Sequence, residues 1–289
     1  MMMRRVLMVV GICLAGLSCL AKSSVWEVEK EGRKVFFAGT CHCLGEKDYP
    51  LPEEFQKAYA AAAMVVFECD LGALQSPEVQ MKLQKACGYQ DGTTLKDHLS
   101  KPVYDELAAC CASNGVPLKI FSSFKPPMVL LAMMFVELRK IGISAEWGVD
   151  VHFHKKAQED KKREMGLESV EQQIHYVSTM ADGVEDDFVR YSLQDLKTTQ
   201  TKFREIIAVW RAGDAERLHA LLQEELATQF TSISKRLLTE RNEAWLPQIE
   251  RFFETPEVEL VMVGTGHLVG PDSVLTMLRK KGYSVKPLQ

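Results

Sequence analysis

The sequence predicts an α/β protein in which a central mixed sheet is flanked by helices, with a largely helical middle region. Three observations predict it. Short apolar strand-like runs alternate with helical patterns at both ends of the chain, "KVFFAGT" and "MVVFECD" early and "ELVMVGT" late. Between Val170 and Phe253 the pattern is almost wholly helical, charged on one side and broken at Gly213-Asp214. The 289 residues are 46% hydrophobic and 26% charged, ordinary for a chain long enough for one large core or two modest ones.

The first 21 residues read differently. Arg4 and Arg5 precede a nearly unbroken apolar run from Val6, and the stretch ends in small residues at Ala21. That is a secretory signal peptide in charge, length and flanks, and it is too short for a stable membrane span. Residues 22–289 are then expected to be one exported domain, periplasmic or secreted, with a helical insertion at about 170–253. Lipidation at Cys19 is the competing reading and would make the chain a lipoprotein, its one route to a membrane. Gly16 stands where a lipobox prefers a branched apolar residue, which favours the soluble form. Losing Arg4 and Arg5 takes the net charge from −4 to −6, so no electrostatic case exists for nucleic acid.

Along the mature chain, "SVWEVEKEGRKVFFAG" alternates and breaks at Glu31-Gly32, which predicts a hairpin. A helix is expected from Leu51 to Ala63, a strand from Met64, and helices through Asn114. "PLKIF" from Pro117 reads as a further strand. Pro126-Pro127 opens a helix to about Ile141, whose Met128, Met133 and Met134 suit a core better than haem ligation. A helix follows Gly148, and "KREMGLE" gives a short strand ending at Glu168. A helix over Asp272–Lys281 and a final strand "YSVKPL" complete the pattern.

Six cysteines lie beyond the leader: Cys41, Cys43, Cys69, Cys87, Cys110 and Cys111. An oxidising compartment permits disulfides, and Cys87 with Cys110 or Cys111 is a candidate pair. A domain of this size does not need such a staple. No Cys-x-x-Cys pair suggests zinc.

The chemistry concentrates in a repeated turn. Gly39-Thr40-Cys41-His42 and Gly264-Thr265-Gly266-His267 each follow an apolar strand, more than two hundred residues apart. With 18 glycines and 7 histidines, chance supplies about 0.4 Gly-x-x-His matches. In α/β sheets ligands gather beyond the carboxyl ends of strands. Both histidines belong at that rim, and Glu68, after the strand from Met64, lands at the same level. Two neutral imidazoles and a carboxylate form a ligand set for a hydrolytic metal. Histidines that merely cap the sheet edge are the alternative. "DVHFH" offers Asp150, His152 and His154 at alternate positions, a metal-like cluster on a strand; on a helix those spacings diverge, leaving the two histidines at the surface.

These motifs resemble the TraB/GumN family, whose relatives include the Tiki membrane proteases. The resemblance runs through "GTCH", "LPEEFQKAYAAAAMVVFECD", "GVD" at Gly148–Asp150, and "GLE" with Gln172 or Gln173. "VWRAGD", "ERNEAW" and "VGTGHLVGPDSVLTMLRKKGYSV" extend it over essentially the whole mature chain, in order. It implies an erythromycin-esterase/ChaN-like architecture and a metal-dependent, peptidase-like hydrolase acting on a peptide or small molecule. Carried over by position, His42 and His267 become metal ligands, with Glu68 a third ligand or the base. The resemblance leaves Glu168 as a second catalytic carboxylate, Arg241 as an oxyanion donor, and Asn242 to orient water or substrate. A divalent Mn²⁺, Co²⁺ or Zn²⁺ suits such a mixed site. Two other functions remain: a binding protein that sequesters a peptide or haem-like ligand, and a metal-free esterase-like hydrolase with His42 as base. The chain departs from the family at Cys41 and Cys43, read as small buried hydrophobes turned away from His42, and at "SSFKPPM", which lacks a Pro-Trp pair.

Overall fold

The computed structural model describes residues 23–289; the expected leader and Cys19 lie outside them. Six strands form one mixed sheet in the order β4-β3-β5-β2-β1-β6: β1 (Val25–Lys30), β2 (Arg33–Thr40), β3 (Met64–Phe67), β4 (Arg163–Gly166), β5 (Glu259–Gly264) and β6 (Ser284–Pro287). β1 is antiparallel to β2 and β6, whereas β2, β5, β3 and β4 run parallel. Four parallel strands bring four carboxyl ends to one edge. The hairpin closes at Glu31 and Gly32, with φ of 51° and 78°, the left-handed pair that a tight two-residue β-turn needs.

The helices used below are α1 (Glu53–Ala61), α2 (Lys101–Ser113), α3 (Pro126–Arg139), α4 (Val149–Glu159), α5 (Val170–Ser178), α6 (Glu185–Leu196), α7 (Thr199–Arg211), α8 (Glu240–Phe252) and α9 (Val274–Lys280). Every position of β5, and of β2 from Val35 to Thr40, is buried, so both faces of the sheet are covered. Phe55 of α1 packs within 6.2 Å of Phe153 of α4 and 5.5 Å of Trp210 of α7. Trp210 is pinned at both ends: its indole N–H donates to the Gly39 carbonyl at 2.7 Å, and its own carbonyl accepts from Ser24 Oγ at 2.9 Å.

A second core is wholly helical. Leu107 of α2, Val129 and Met133 of α3, Val189 of α6 and Ile233 meet there. The helical region therefore draws on residues before β4 as well as on the expected stretch 170–253. Its last helix, α8, returns to the sheet, with Trp245 and Ile249 buried in the first core.

Three expectations need correcting. "PLKIF" is a 3-10 turn, Leu118–Phe121, not a strand; only Leu118 is buried, packed into the helical core, while Ile120 is exposed. Its apolar residues serve a turn beneath a helix, which a short run of five cannot signal. "DVHFH" lies on α4, where the three positions do diverge, yet His154 is half-buried and bonded to Glu164 Oε1 at 2.9 Å, and His152 packs against Tyr49. All six cysteines among the described residues are free, so Cys87 has no bridge to Cys110 or Cys111. No described helix is long and apolar enough to cross a membrane.

Glu259 opens β5 at the edge opposite the carboxyl ends, 2% exposed, with Oε2 unpartnered. Burial, reinforced by Glu257, pushes its pKa up to about 7. A raised carboxyl pKa means that stability is full below the unfolded value and falls as pH rises through 7. Glu259→Gln should unfold like the wild type at pH 4 and be more stable by about 3 kcal/mol at pH 8 in denaturant titrations. A gain equal at both pH values would show that ionisation is not the cause.

Candidate functional site

The repeated turn is explained by strand pairing. β2 and β5 are parallel neighbours with Thr40 opposite Gly264, so both Gly-Thr-x-His segments leave the sheet side by side. They interlock: Thr265 Oγ1 donates to the Thr40 carbonyl at 3.0 Å. A side chain on Gly39 would meet Thr265 Oγ1 at 2.7 Å, and one on Gly264 would meet Glu68 Oε1 and His42 Nε2, each at 3.1 Å. Glycine serves close approach here, not an unusual backbone angle: a side chain at Gly39 would displace Thr265, and one at Gly264 would press on Glu68 and His42.

Glu68 follows β3 and Glu168 follows β4. The ladder between these strands continues past their ends, with Glu168 N–H donating to the Glu68 carbonyl at 2.9 Å. Two glutamates on adjacent strand ends need a cation, and α8 supplies it. Arg241, Asn242 and Trp245 share the face that α8 lays on this edge. Arg241 donates from Nη2 to Glu68 Oε2 at 2.6 Å and to Glu168 Oε1 at 2.7 Å, and from Nε to Glu168 Oε2 at 3.1 Å. Its Nη1 reaches the Leu237 carbonyl and His267 Nε2, both at 3.1 Å. The guanidinium is thus fully engaged. Glu168 also accepts from the Trp245 indole at 2.9 Å and from Gln173 Nε2 at 2.6 Å.

The two histidines sit differently. Asn242 gives its amide N–H to the Asp272 carbonyl, which turns its Oδ1 to His267 Nδ1 at 2.7 Å. That arrangement assigns the proton to Nδ1 and leaves Nε2 as an acceptor. Burial and the neighbouring Arg241 outweigh Glu68 and push His267 down to about 3, so the ring is neutral. His42 has its side chain 57% exposed, with Nδ1 3.3 Å from Asp150 Oδ1 and Nε2 3.8 Å from Glu68 Oε1. Crowding by the surrounding protein opposes its charge, but Asp150 and Glu68 prevail and raise it to about 9. Burial also penalises Glu68, while His267, Arg241, His42 and the Gly264 N–H hold its pKa well below the usual carboxylate range. Because His267 is neutral, Arg241, the charged His42 and the 2.7 Å Gly264 N–H bond carry that effect near pH 7.

Two cavities meet at His42 and Glu68. The larger, about 490 Å³, also has Arg241 and His267 at its floor and apolar walls from α3, α7 and the segment 215–239. The smaller, about 230 Å³, carries Asp150, Gln173 and Cys69. Cys41 and Cys43 both line the larger cavity beside His42 rather than turning away from it. Burial pushes each thiol up to about 12, so they stay protonated and behave as small hydrophobes.

Every residue singled out in the sequence comes together here: His42, Glu68, Glu168, Arg241, Asn242 and His267. Glu168 is not among the lining residues of either cavity, and Arg241 spends its donors inside the protein; in this geometry both act by positioning Glu68 and His267. Gln173, which bonds both Glu68 and Glu168, and Trp245, whose ring lies 4.4 Å from His267, had no role assigned from sequence. Trp245 had a signal in helical spacing, four residues from Arg241; Gln173 had none, since Glu168 precedes the helix that carries it.

Breaking a buried ion pair from one side costs about 3–5 kcal/mol. Arg241→Met should therefore destabilise the chain by that order in equilibrium unfolding; a loss under about 1 kcal/mol would show the carboxylates are relieved by solvent. In Asp150→Asn, the His42 ring should titrate well below about 9, towards the ordinary 6.5, when followed by NMR of its carbon-bound protons. An unchanged titration would assign the raised value to another group.

The profile of the TraB/PrgY/gumN family matches residues 24–287. The uncharacterized protein YbaP of Escherichia coli (strain K12) is 21% identical over 250 residues, covering 86% of this chain and 88% of that protein. YbaP of Shigella flexneri is also 21% identical, over 244 residues, 83% and 86% of the two chains. No solved structure matches. The profile spans both Gly-Thr-x-His turns and everything between them, and the chain belongs to the TraB/PrgY/gumN family.

Proposed function

We propose that the chain is an exported hydrolase of amide or ester bonds, working at the carboxyl edge of its sheet with a divalent cation held by His42, His267 and Glu68. One observation carries this reading. Both imidazole Nε2 atoms face the same carboxylate oxygen, Glu68 Oε1, at 3.8 and 3.9 Å. Each ring has an oxygen beside its other nitrogen, Asp150 for His42 and Asn242 for His267, the outer partners that metal-bound histidines have. The donors suit a cation such as Mn²⁺, Co²⁺ or Zn²⁺ in kind, and His267 Nε2 would have to give up its bond from Arg241 Nη1 to bind one. As they stand they are wider than a coordination shell, and among the described residues no group of three or more His, Cys, Asp or Glu stands close enough to hold a metal ion.

A bound divalent ion would supply a water activated near neutral pH. The chain's own residues do the rest. Glu68, kept ionised by Arg241, would serve as third ligand or as the base that takes a proton from such a water and returns it to the leaving group. His42 opens onto both cavities, and Asp150 beside its Nδ1 holds the ring with Nε2 toward Glu68. Asn242 and Trp245 hold His267 in place, and the apolar walls keep bulk water from the reacting carbonyl.

Arg241 favours a second reading. Its Nη1 already donates to His267 Nε2, so the guanidinium stands as a fixed cation beside Glu68, and metal-free hydrolysis through His42 needs no rearrangement. Metal content and affinity of the chain from Lys22 should be measured beside His42→Ala/His267→Ala, with hydrolysis of amide and ester libraries followed with and without chelator. The expected result is about one metal per chain, lost in the double variant, and turnover abolished by chelation. Turnover that survives chelation moves the function to the metal-free reading. No turnover, with stoichiometric ligand binding that survives Glu68→Gln, would make this a binding protein.

A further inference from the structure

The larger cavity is more specific than a generic cleft. Its floor carries His42, Glu68, Arg241 and His267, and above it Met134 and Phe135 of α3 face Phe203 and Ile206 of α7, with Leu222 and Leu237 from the segment 215–239. A volume of about 490 Å³ lies in the range of small-molecule sites. Beyond the floor the polar lining side chains are Thr40, Thr265 and Gln223. Two of these are already committed: Thr265 Oγ1 donates to the Thr40 carbonyl, and Gln223 Nε2 donates to the Gly266 and Val269 carbonyls at 2.6 and 3.1 Å. An extended peptide entering this space would bring an N–H and a carbonyl at every residue and find almost no partners. Each buried amide group left unpaired costs about 1–3 kcal/mol. A hydrocarbon chain brings no such groups.

The second cavity differs. It shares Thr40, His42 and Glu68 with the first, and its other lining includes Asp150 and Gln173. A substrate whose reacting carbonyl lies at His42 and Glu68 therefore meets an apolar space on one side and a smaller, more polar one on the other.

We propose that the larger cavity takes the hydrocarbon chain of an acyl amide or ester, with the carbonyl at the floor and a compact polar group in the smaller cavity. The position of the carbonyl rests on the hydrolase reading; affinity for the hydrocarbon does not. The test is calorimetric binding of N-methylacetamide, N-methylbutanamide and N-methyloctanamide to the chain from Lys22, with the methylamine product assayed after each titration. Affinity should rise about two- to fourfold for each added methylene. Leu222→Trp and Met134→Trp, each checked for an unchanged melting temperature, should abolish most of the gain between butanamide and octanamide. Absence of turnover with the affinity series intact would remove the hydrolase reading and leave this one standing. An affinity that does not depend on chain length would overturn the proposal, as would tighter binding of N-acetyl-Leu-Leu-N-methylamide than of N-methyloctanamide. Binding of the octanamide unaltered in both folded tryptophan variants would do the same. Should neither variant fold, the wild-type series and the peptide comparison decide the matter.

Discussion

One buried guanidinium holds the edge of this sheet together. Arg241 sits between two carboxylates that successive strand ends force into proximity, and its side chain and that of Glu168 are nearly inaccessible to solvent. Leaving two buried carboxylates without a cation is far costlier than any helix-packing term, so α8 has little choice of position on the sheet. The consequences spread from there. Glu68 stays ionised, His267 stays neutral, Asn242 is brought to His267 Nδ1, and Trp245 reaches Glu168. Two glutamates and one arginine leave one negative charge over, and His42 with its raised pKa stands against it.

Much of this was legible in the sequence because parallel strands have a simple rule: residues just past their carboxyl ends share an edge. The strands ending at Thr40, Phe67 and Gly264 were readable as apolar runs closed by glycine or acids, so the sequence gathers His42, Glu68 and His267 at one rim, while Glu168, after the largely polar strand Arg163–Gly166, took its role from family resemblance. Arg241 and Asn242 came from family resemblance, since nothing local in "ERNEAW" says which strand ends the helix will meet. The roles were harder than the places. Whether an arginine faces substrate or spends all its hydrogen bonds on neighbours depends on residues 73 and 173 positions away, and no spacing encodes that. The turn at Leu118–Phe121 was misread for a related reason: five residues with a leading proline carry no period.

The cavity walls were not legible, and the backbone explains part of it. The segments Ala220–Glu224 and Lys235–Thr239 are π-helical turns. A π turn accommodates one residue more than an α turn and rotates the succeeding residues around the axis, a device often found at functional sites. Leu222 and Gln223 lie in the first, Leu237 and Leu238 in the second, and all four line the larger cavity. The second turn runs directly into α8, so it fixes the rotation at which Leu237 and Leu238 face the cavity while Arg241 and Asn242 face the sheet edge. A helical period read at a constant 3.6 residues per turn cannot place both sets correctly.

The repeated Gly-Thr-x-His turn hides a division of labour. Motif alignment would set Gly39 beside Gly264, but the sheet pairs Thr40 with Gly264, one residue out of step. The second turn winds into a buried 3-10 segment, Thr265–His267, and its imidazole is fixed on both nitrogens. The first turn carries its imidazole outward to the junction of the two cavities. A buried neutral ring with Nδ1 on Asn242 and Nε2 on Arg241 is held in one orientation. An open ring tied to one carboxylate at 3.3 Å can exchange a proton with whatever enters. The stagger of a single residue is what lets one sequence motif supply the buried ring bonded on both nitrogens and the other the exposed ring at the cavity junction.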